Sequence, residues 1–305
     1  MMNYSKQLFL GLWGLSLVSL SCEGQKKVDD IVAKGAELTL VSDTFEFTEG
    51  PAMDKSGDVY FTDQPNDRIV KWSASDNTVT DYMKPAGRAN GLYFDDEGSL
   101  LAAADEKNEL WRIATDKKVT VVIDNFEKKK LNGPNDIWVD QKEGVYFTDP
   151  FYKRSWWQHT EPEQSARRVY YLAANTSEPR VVIDDNYEQP NGIIGTPDGK
   201  TLYVSDNGAK KTYVYDISKN GDLTNKKLFA DMGSDGMTVD HLGNVYLTGD
   251  GVTVFNKKGE QIKHIPVPEN WTANVTFGGP KQNILFITAM DSVYTLEMNV
   301  HGVRY

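Results

Sequence analysis

Six times along the chain a polar residue opens a short apolar run and a Gly-bearing turn follows. A second apolar run then begins 10 or 11 residues after the opening residue. The openings are Glu49 (EGPAMDKSGDVYFTD), Asn90 (NGLYFDDEGSLLAAAD), Asn135 (NDIWVDQKEGVYFTD), Asn191 (NGIIGTPDGKTLYVSD), Asp235 (DGMTVDHLGNVYLTG) and Asn274 (NVTFGGPKQNILFITA). They stand 41, 45, 56, 44 and 39 residues apart. Periods of about 40 residues with several strands per unit mark radial β arrays, because each sheet buries its faces only against its neighbours. Outer strands are legible as RIVKW, ELWRI, RVYYL, KTYVYDI and VTVF, each followed by a further apolar run. Four strands per unit predict an all-β, six-bladed β-propeller over residues 37–305. The last unit is one strand short, and the spare strand ELTLVSDTF (Glu37 to Phe45) is expected to complete it and close the ring. Closure leaves no exposed sheet edge.

Residues 1–22 read as a leader rather than as fold. Lys6 precedes the apolar core LFLGLWGLSLVSL, which is too short to span a bilayer. It ends at Ser21-Cys22, the chain's only cysteine, which suggests a lipoprotein-type signal with Cys22 as the lipidation candidate. Residues 23–36 would then be a polar tether, and the expected location is the periplasm or a membrane surface reached only through that lipid. With one cysteine, no disulfide framework is available. A formal charge of −11 argues against nucleic acid, whose phosphates call for clustered Lys and Arg. The three lysines from Lys128 to Lys130 are too short a run to change that reading, and a monomer is expected.

Closing six such units into a ring points Glu49, Asn90, Asn135, Asn191, Asp235 and Asn274 at one axis, all of them oxygen donors. Among them, Glu49, Asn135, Asn191 and Asp235 offer two carboxylates and two amide carbonyls, a donor set suited to a hard divalent cation. Ca2+ is the favoured ion, with Mg2+, Mn2+ or Zn2+ as substitutes. No His or Cys stands in the register, which counts against a zinc site. The ends of the second strands, Asp63, Asp105, Asp149 and Asp206, reach the same mouth. So does the insertion Pro150 to Arg168, which makes the 56-residue interval long. Candidate substrate contacts are Asn90, Asn274 and Asp149, together with Tyr152, Trp156, Trp157 and His159 of the insertion. GTPDGKT (Gly195 to Thr201) lacks phosphate-loop spacing, and neither a G-x-S-x-G elbow nor an H-E-x-x-H motif occurs.

The motifs EGPAMDKSGDVYFTD, LNGPNDIWVD with GVYFTDP, QPNGIIGTPDGKTLYVSD, SDGMTVDHLGNVYLTG and NVTFGGPKQNILFITA resemble the gluconolactonase/SMP-30/luciferin-regenerating family over residues 45–295. The resemblance implies a six-bladed propeller that hydrolyses sugar lactones with one divalent cation. It places the metal on Glu49, Asn135, Asn191 and Asp235, and makes Asp235 the general base. The animal lactonases carry a substrate-contacting Arg two residues before the second ligand. Here that position is Gly133, so their sugar specificity does not carry over. The expected function is thus metal-dependent opening of a sugar lactone by Asp-activated water. An organophosphatase or aryl esterase on the same site, and a non-catalytic sugar-binding propeller, are the alternatives.

Overall fold

The computed structural model describes residues 1, 30–184 and 187–303. The leader, Cys22 and the tether as far as residue 29 lie outside the described residues.

Each unit becomes one antiparallel sheet because its β-branched and aromatic runs are separated by turns with their own chemistry. In the first blade Thr48–Met53, Val59–Asp63, Arg68–Trp72 and Val79–Met83 pair in chain order. Six four-stranded sheets of this kind occur among the described residues, with one two-stranded ribbon and no helix. The turn joining the first two strands is held by a carboxylate at its start. Asp140 Oδ1 accepts hydrogen bonds from the amides of Lys142 (2.8 Å) and Gly144 (2.9 Å). Asp240 Oδ1 does the same for Leu242 and Asn244, both at 2.9 Å. Such side-chain caps offer the backbone a ready turn, which is why the hairpin recurs so uniformly.

The first strands of successive blades pack on one another, and the last packs on the first, so the sheets form a closed circle. Large side chains fill the wedges between sheets: Trp138, Tyr146, Phe147, Tyr170 and Phe286 are fully buried. Trp138 lies so close to the next blade that a Cβ at Gly195 would come within 2.1 Å of its indole. Truncating a residue of this kind costs about 3–5 kcal/mol.

The ring is fastened by the expected spare strand. Thr39–Ser42 pairs antiparallel with Ser292–Glu297, completing the last blade. The chain joins the fold earlier than a tether over residues 23–36 allows. Ile31 is buried in the core of that blade, Val32 bridges to Met298, and the Ala33 amide donates to the Glu297 carbonyl at 3.0 Å. The tether reading therefore ends at residue 30. The apolar triplet Ile31-Val32-Ala33 was hidden within a polar stretch.

At the axial mouth the strand ladders break where the repeat places its polar residues. Register shifts fall between Glu49 and Ala52, Ala89 and Leu92, and Pro190 and Ile193. Asn135 and Asp235 precede the strands that begin at Ile137 and Met237. Asn274 stays in a regular ladder, opposite Thr288, and Glu49 keeps its pairing with Thr62 at the edge of a shift. Such irregularities bend the backbone and re-aim side chains. They leave four of the six residues, Asn90, Asn135, Asn191 and Asp235, out of sheet pairing.

Candidate active site

Glu49 comes from the first blade and is 2% exposed. Its Oε2 accepts hydrogen bonds from the Gly50 amide at 2.8 Å and from Asn274 Nδ2 at 3.1 Å. Asp235, from the fifth blade, is held on both oxygens. Trp271 Nε1 donates to Oδ2 at 2.7 Å, and Asn191 Nδ2 donates to Oδ1. Asn191 also donates to the Tyr152 hydroxyl at 3.1 Å. Its own Oδ1 is buried with no hydrogen-bond partner, as is that of Asn90. The Asn135 backbone is fixed by its amide on the Thr148 carbonyl (2.9 Å) and its carbonyl under the Gly91 amide (2.7 Å).

The electrostatics show how closely the acidic groups are gathered. Burial pushes the Glu49 carboxyl well above the usual carboxylate range, and the charge of Asp235 pushes it further. Asp235 is itself raised by burial, against the hydrogen bonds from Trp271 and Asn191. A third carboxyl, Asp136, is raised by burial to about 7. No Lys or Arg forms an ion pair with any of the three among the described residues. Buried carboxylates that repel one another need a counter-charge, and unpaired amide oxygens need a partner. A divalent cation meets both needs. The residues present therefore fit one, with Glu49 and Asp235 supplying charge and Asn135 and Asn191 supplying neutral oxygens. Among the described residues no three His, Cys, Asp or Glu side chains cluster at ligand spacing. The fit thus depends on the amides.

Asp136 is a residue the repeat pattern did not single out. Its oxygens accept the amides of Ile137 (3.0 Å) and Ile193 (3.2 Å), which makes it a charged neighbour rather than a further ligand. A signal was present: the register position after the opening residue is Gly50, Gly91, Gly192 and Gly236 in four blades, but Asp in the third. Trp271 lies three residues before its blade's opening residue, where no pattern marks it.

Several expected substrate contacts prove to be braces. Asp149 is fully buried, with its two oxygens under the amides of Asn132 (3.0 Å) and Gly133 (2.9 Å), so it clamps the strand entry. Asp206 holds Glu188 and Gln189 in the same way, both at 2.9 Å. Asn274 orients Glu49 through its amide nitrogen, while its oxygen accepts the Val275 amide at 2.8 Å. Trp157 donates to the Asp105 carbonyl at 2.7 Å and stacks on His159 with centroids 4.6 Å apart. Trp156 carries the guanidinium groups of Arg88 and Arg154 at 4.7 and 5.7 Å from its ring. These contacts of Trp156, Trp157 and His159 pin the insertion to the second blade. Tyr152 and Asn90 remain at the mouth. Burial and the nearby Asp235 push the Tyr152 phenol up to about 12.

A closed circle of four-stranded sheets, with oxygen donors from different blades at one mouth, defines an axial-site β-propeller. The chain belongs to the SMP-30/gluconolactonase/LRE-like family, whose model matches residues 47–291. It is 27% identical to a gluconolactonase from Zymomonas mobilis over 90% of this chain and 85% of that protein. The solved structure of a gluconolactonase from Xanthomonas campestris superposes with a TM-score of 0.81 at 28% identity, covering 88% of this chain and 91% of the other. A diisopropyl-fluorophosphatase from Loligo vulgaris is 26% identical over 88% of this chain and 94% of that protein.

Proposed function

We propose that the protein hydrolyses sugar lactones at the mouth of the ring, using a divalent cation, with Ca2+ the ion its donor set favours. The observation that carries this reading is the buried, mutually repelling pair Glu49 and Asp235 set beside the unpartnered Asn191 oxygen. The gluconolactonase relatives support the substrate class.

Glu49, Asn135, Asn191 and Asp235 would hold the cation, which when bound polarises a carbonyl and stabilises negative charge on its oxygen. Asp235 is the group placed to take a proton. Trp271 and Asn191 fix its plane and favour its ionised form. Water adds to the lactone carbonyl carbon and gives its proton to Asp235. The bond from that carbon to the ring oxygen then breaks, and the proton passes to the leaving alkoxide, leaving a hydroxy acid. Tyr152, bonded to Asn191, bounds the substrate side and excludes bulk water there.

Lactone hydrolysis followed at constant pH, with and without chelator, tests the reading. Asp235→Ala should lower kcat by at least about 100-fold, and Glu49→Gln should weaken cation binding measured by calorimetry. Undiminished turnover by chelated Asp235→Ala protein would refute the mechanism. The squid relative supports a second reading, phosphotriester hydrolysis on the same residues. Including a fluorophosphate in the panel decides between them. We also infer export and attachment through a lipid on Cys22, for which the apolar leader before Cys22 is the support. Retention of the mature protein in the membrane fraction, lost in Cys22→Ala, is the expected result.

A further inference from the structure

We propose that Arg154 is a specificity-determining residue, whose terminal nitrogens bind vicinal hydroxyl groups of the substrate and so select polyhydroxylated lactones over bare ones. This rests on the lactonase reading above.

Four observations lead to it. First, the four second-strand ends Asp63, Asp105, Asp149 and Asp206 look alike in sequence, but only Asp105 is released from bracing its own strand entry. The loop before the second blade is held instead by Asp67, whose Oδ1 accepts the amides of Ala86 (2.9 Å) and Arg88 (2.7 Å). Second, the freed Asp105 carboxylate reaches the insertion and takes Arg154 Nε at 2.6 Å. Gln64 Nε2 steadies the same oxygen at 3.1 Å. Third, the guanidinium lies over Tyr152 and Trp156, at 5.6 and 5.7 Å from their rings, which fixes its plane. Tyr152 in turn is bonded to Asn191, so Arg154 stands one aromatic ring away from the proposed cation ligands. Fourth, only Nε is used. The two terminal nitrogens carry no hydrogen bond among the described residues, and the side chain keeps 21% of its surface exposed at the mouth.

The chemistry of the ligand follows from the charge balance. Asp105 already offsets the guanidinium charge, so what Arg154 presents is a rigid fork of N–H donors rather than a spare cation. A neutral ligand rich in acceptor oxygens matches that fork better than a second anion. Adjacent hydroxyls on a lactone ring supply such a pair. The insertion also fills the place where a side chain at position 133 would project. A Cβ at Gly133 would come within 2.8 Å of Asp105 and 3.0 Å of Trp157.

The test compares D-glucono-δ-lactone with δ-valerolactone, a ring of the same size without hydroxyls. In Arg154→Met, the ratio of kcat/KM for the hydroxylated over the bare lactone should fall about 10- to 100-fold. The change should appear chiefly in KM. Arg154→Lys, which keeps a donor but not the fork, should recover part of the ratio. Melting temperature and calcium binding are measured on each variant, and Arg154→Lys carries the test if Arg154→Met does not fold. An unchanged ratio, or an equal loss on both lactones, overturns the role of Arg154 and marks it as a fastener of the insertion. A wild-type protein that opens neither lactone sinks the lactonase reading itself, so the two failures are separable.

Discussion

Individual side chains at the mouth divide into those that brace backbone and those that face the axis, and their hydrogen bonds separate the two. Asp149 shows what bracing costs. Burial raises its carboxyl to about 7, even though two amides favour the charged form. A carboxyl whose folded pKa lies above its unfolded one holds its proton in the native state after the unfolded chain has lost it. Its contribution to stability is therefore present at low pH and is lost as pH rises toward the folded pKa. In Asp149→Asn that titration is gone. Between pH of about 4 and 7 the stability of wild type relative to the variant should fall, then stay flat above pH of about 7. Urea denaturation across that range measures it, and a relative stability that rises with pH would contradict the assignment. At this scale the sequence was only partly readable. Glu49 and Asp235 stood out because acidic residues replaced Asn in a register. Asp105 and Asp149 could not be told apart, since what separates them is whether Asp67, on another turn, has already secured the neighbouring loop.

At the level of strands, the repeat was legible because turn chemistry and alternation are local. Asp140 and Asp240 caps and the glycines after them are written in adjacent residues. The ladder breaks were not legible, because they arise where neighbouring first strands crowd one another near the axis. Gly236 records that crowding. A Cβ there would lie 1.9 Å from the Asn274 side chain, which cannot retreat without releasing Glu49. Gly236→Ala should thus weaken cation binding by about tenfold while altering no ligand, at a stability loss of about 1–3 kcal/mol. Calorimetric titration with Ca2+ checks the first part and thermal denaturation the second. Unchanged affinity in the variant would show that Asn274 is not needed to hold Glu49.

For the whole molecule, stability depends on closing a circle with a strand taken from the opposite end of the chain. Thr39–Ser42 covers an edge that Ser292–Glu297 would otherwise expose, and Ile31 seals the core beneath it. A variant lacking residues 31–44 should melt well below wild type and aggregate, because an open edge recruits other chains. Size-exclusion chromatography and a thermal scan are the measurements, and a monomeric variant with wild-type melting would count against ring closure as the source of stability. The six-unit period and the spare strand made this closure readable from sequence. The earlier entry at Ile31 was masked by its polar surroundings.

The hydrogen bond from Asn274 to Glu49 spans the join between the final sheet and the opening one. The fold is thus buttoned at the spot where its acidic repulsion is greatest. The cation proposed above, by quenching that repulsion, would serve also as a rivet through the seam, and binding and folding would reinforce each other. Emptying such a socket would slacken the circle first between the last blade and the first, making occupancy and wholeness two readings of one equilibrium.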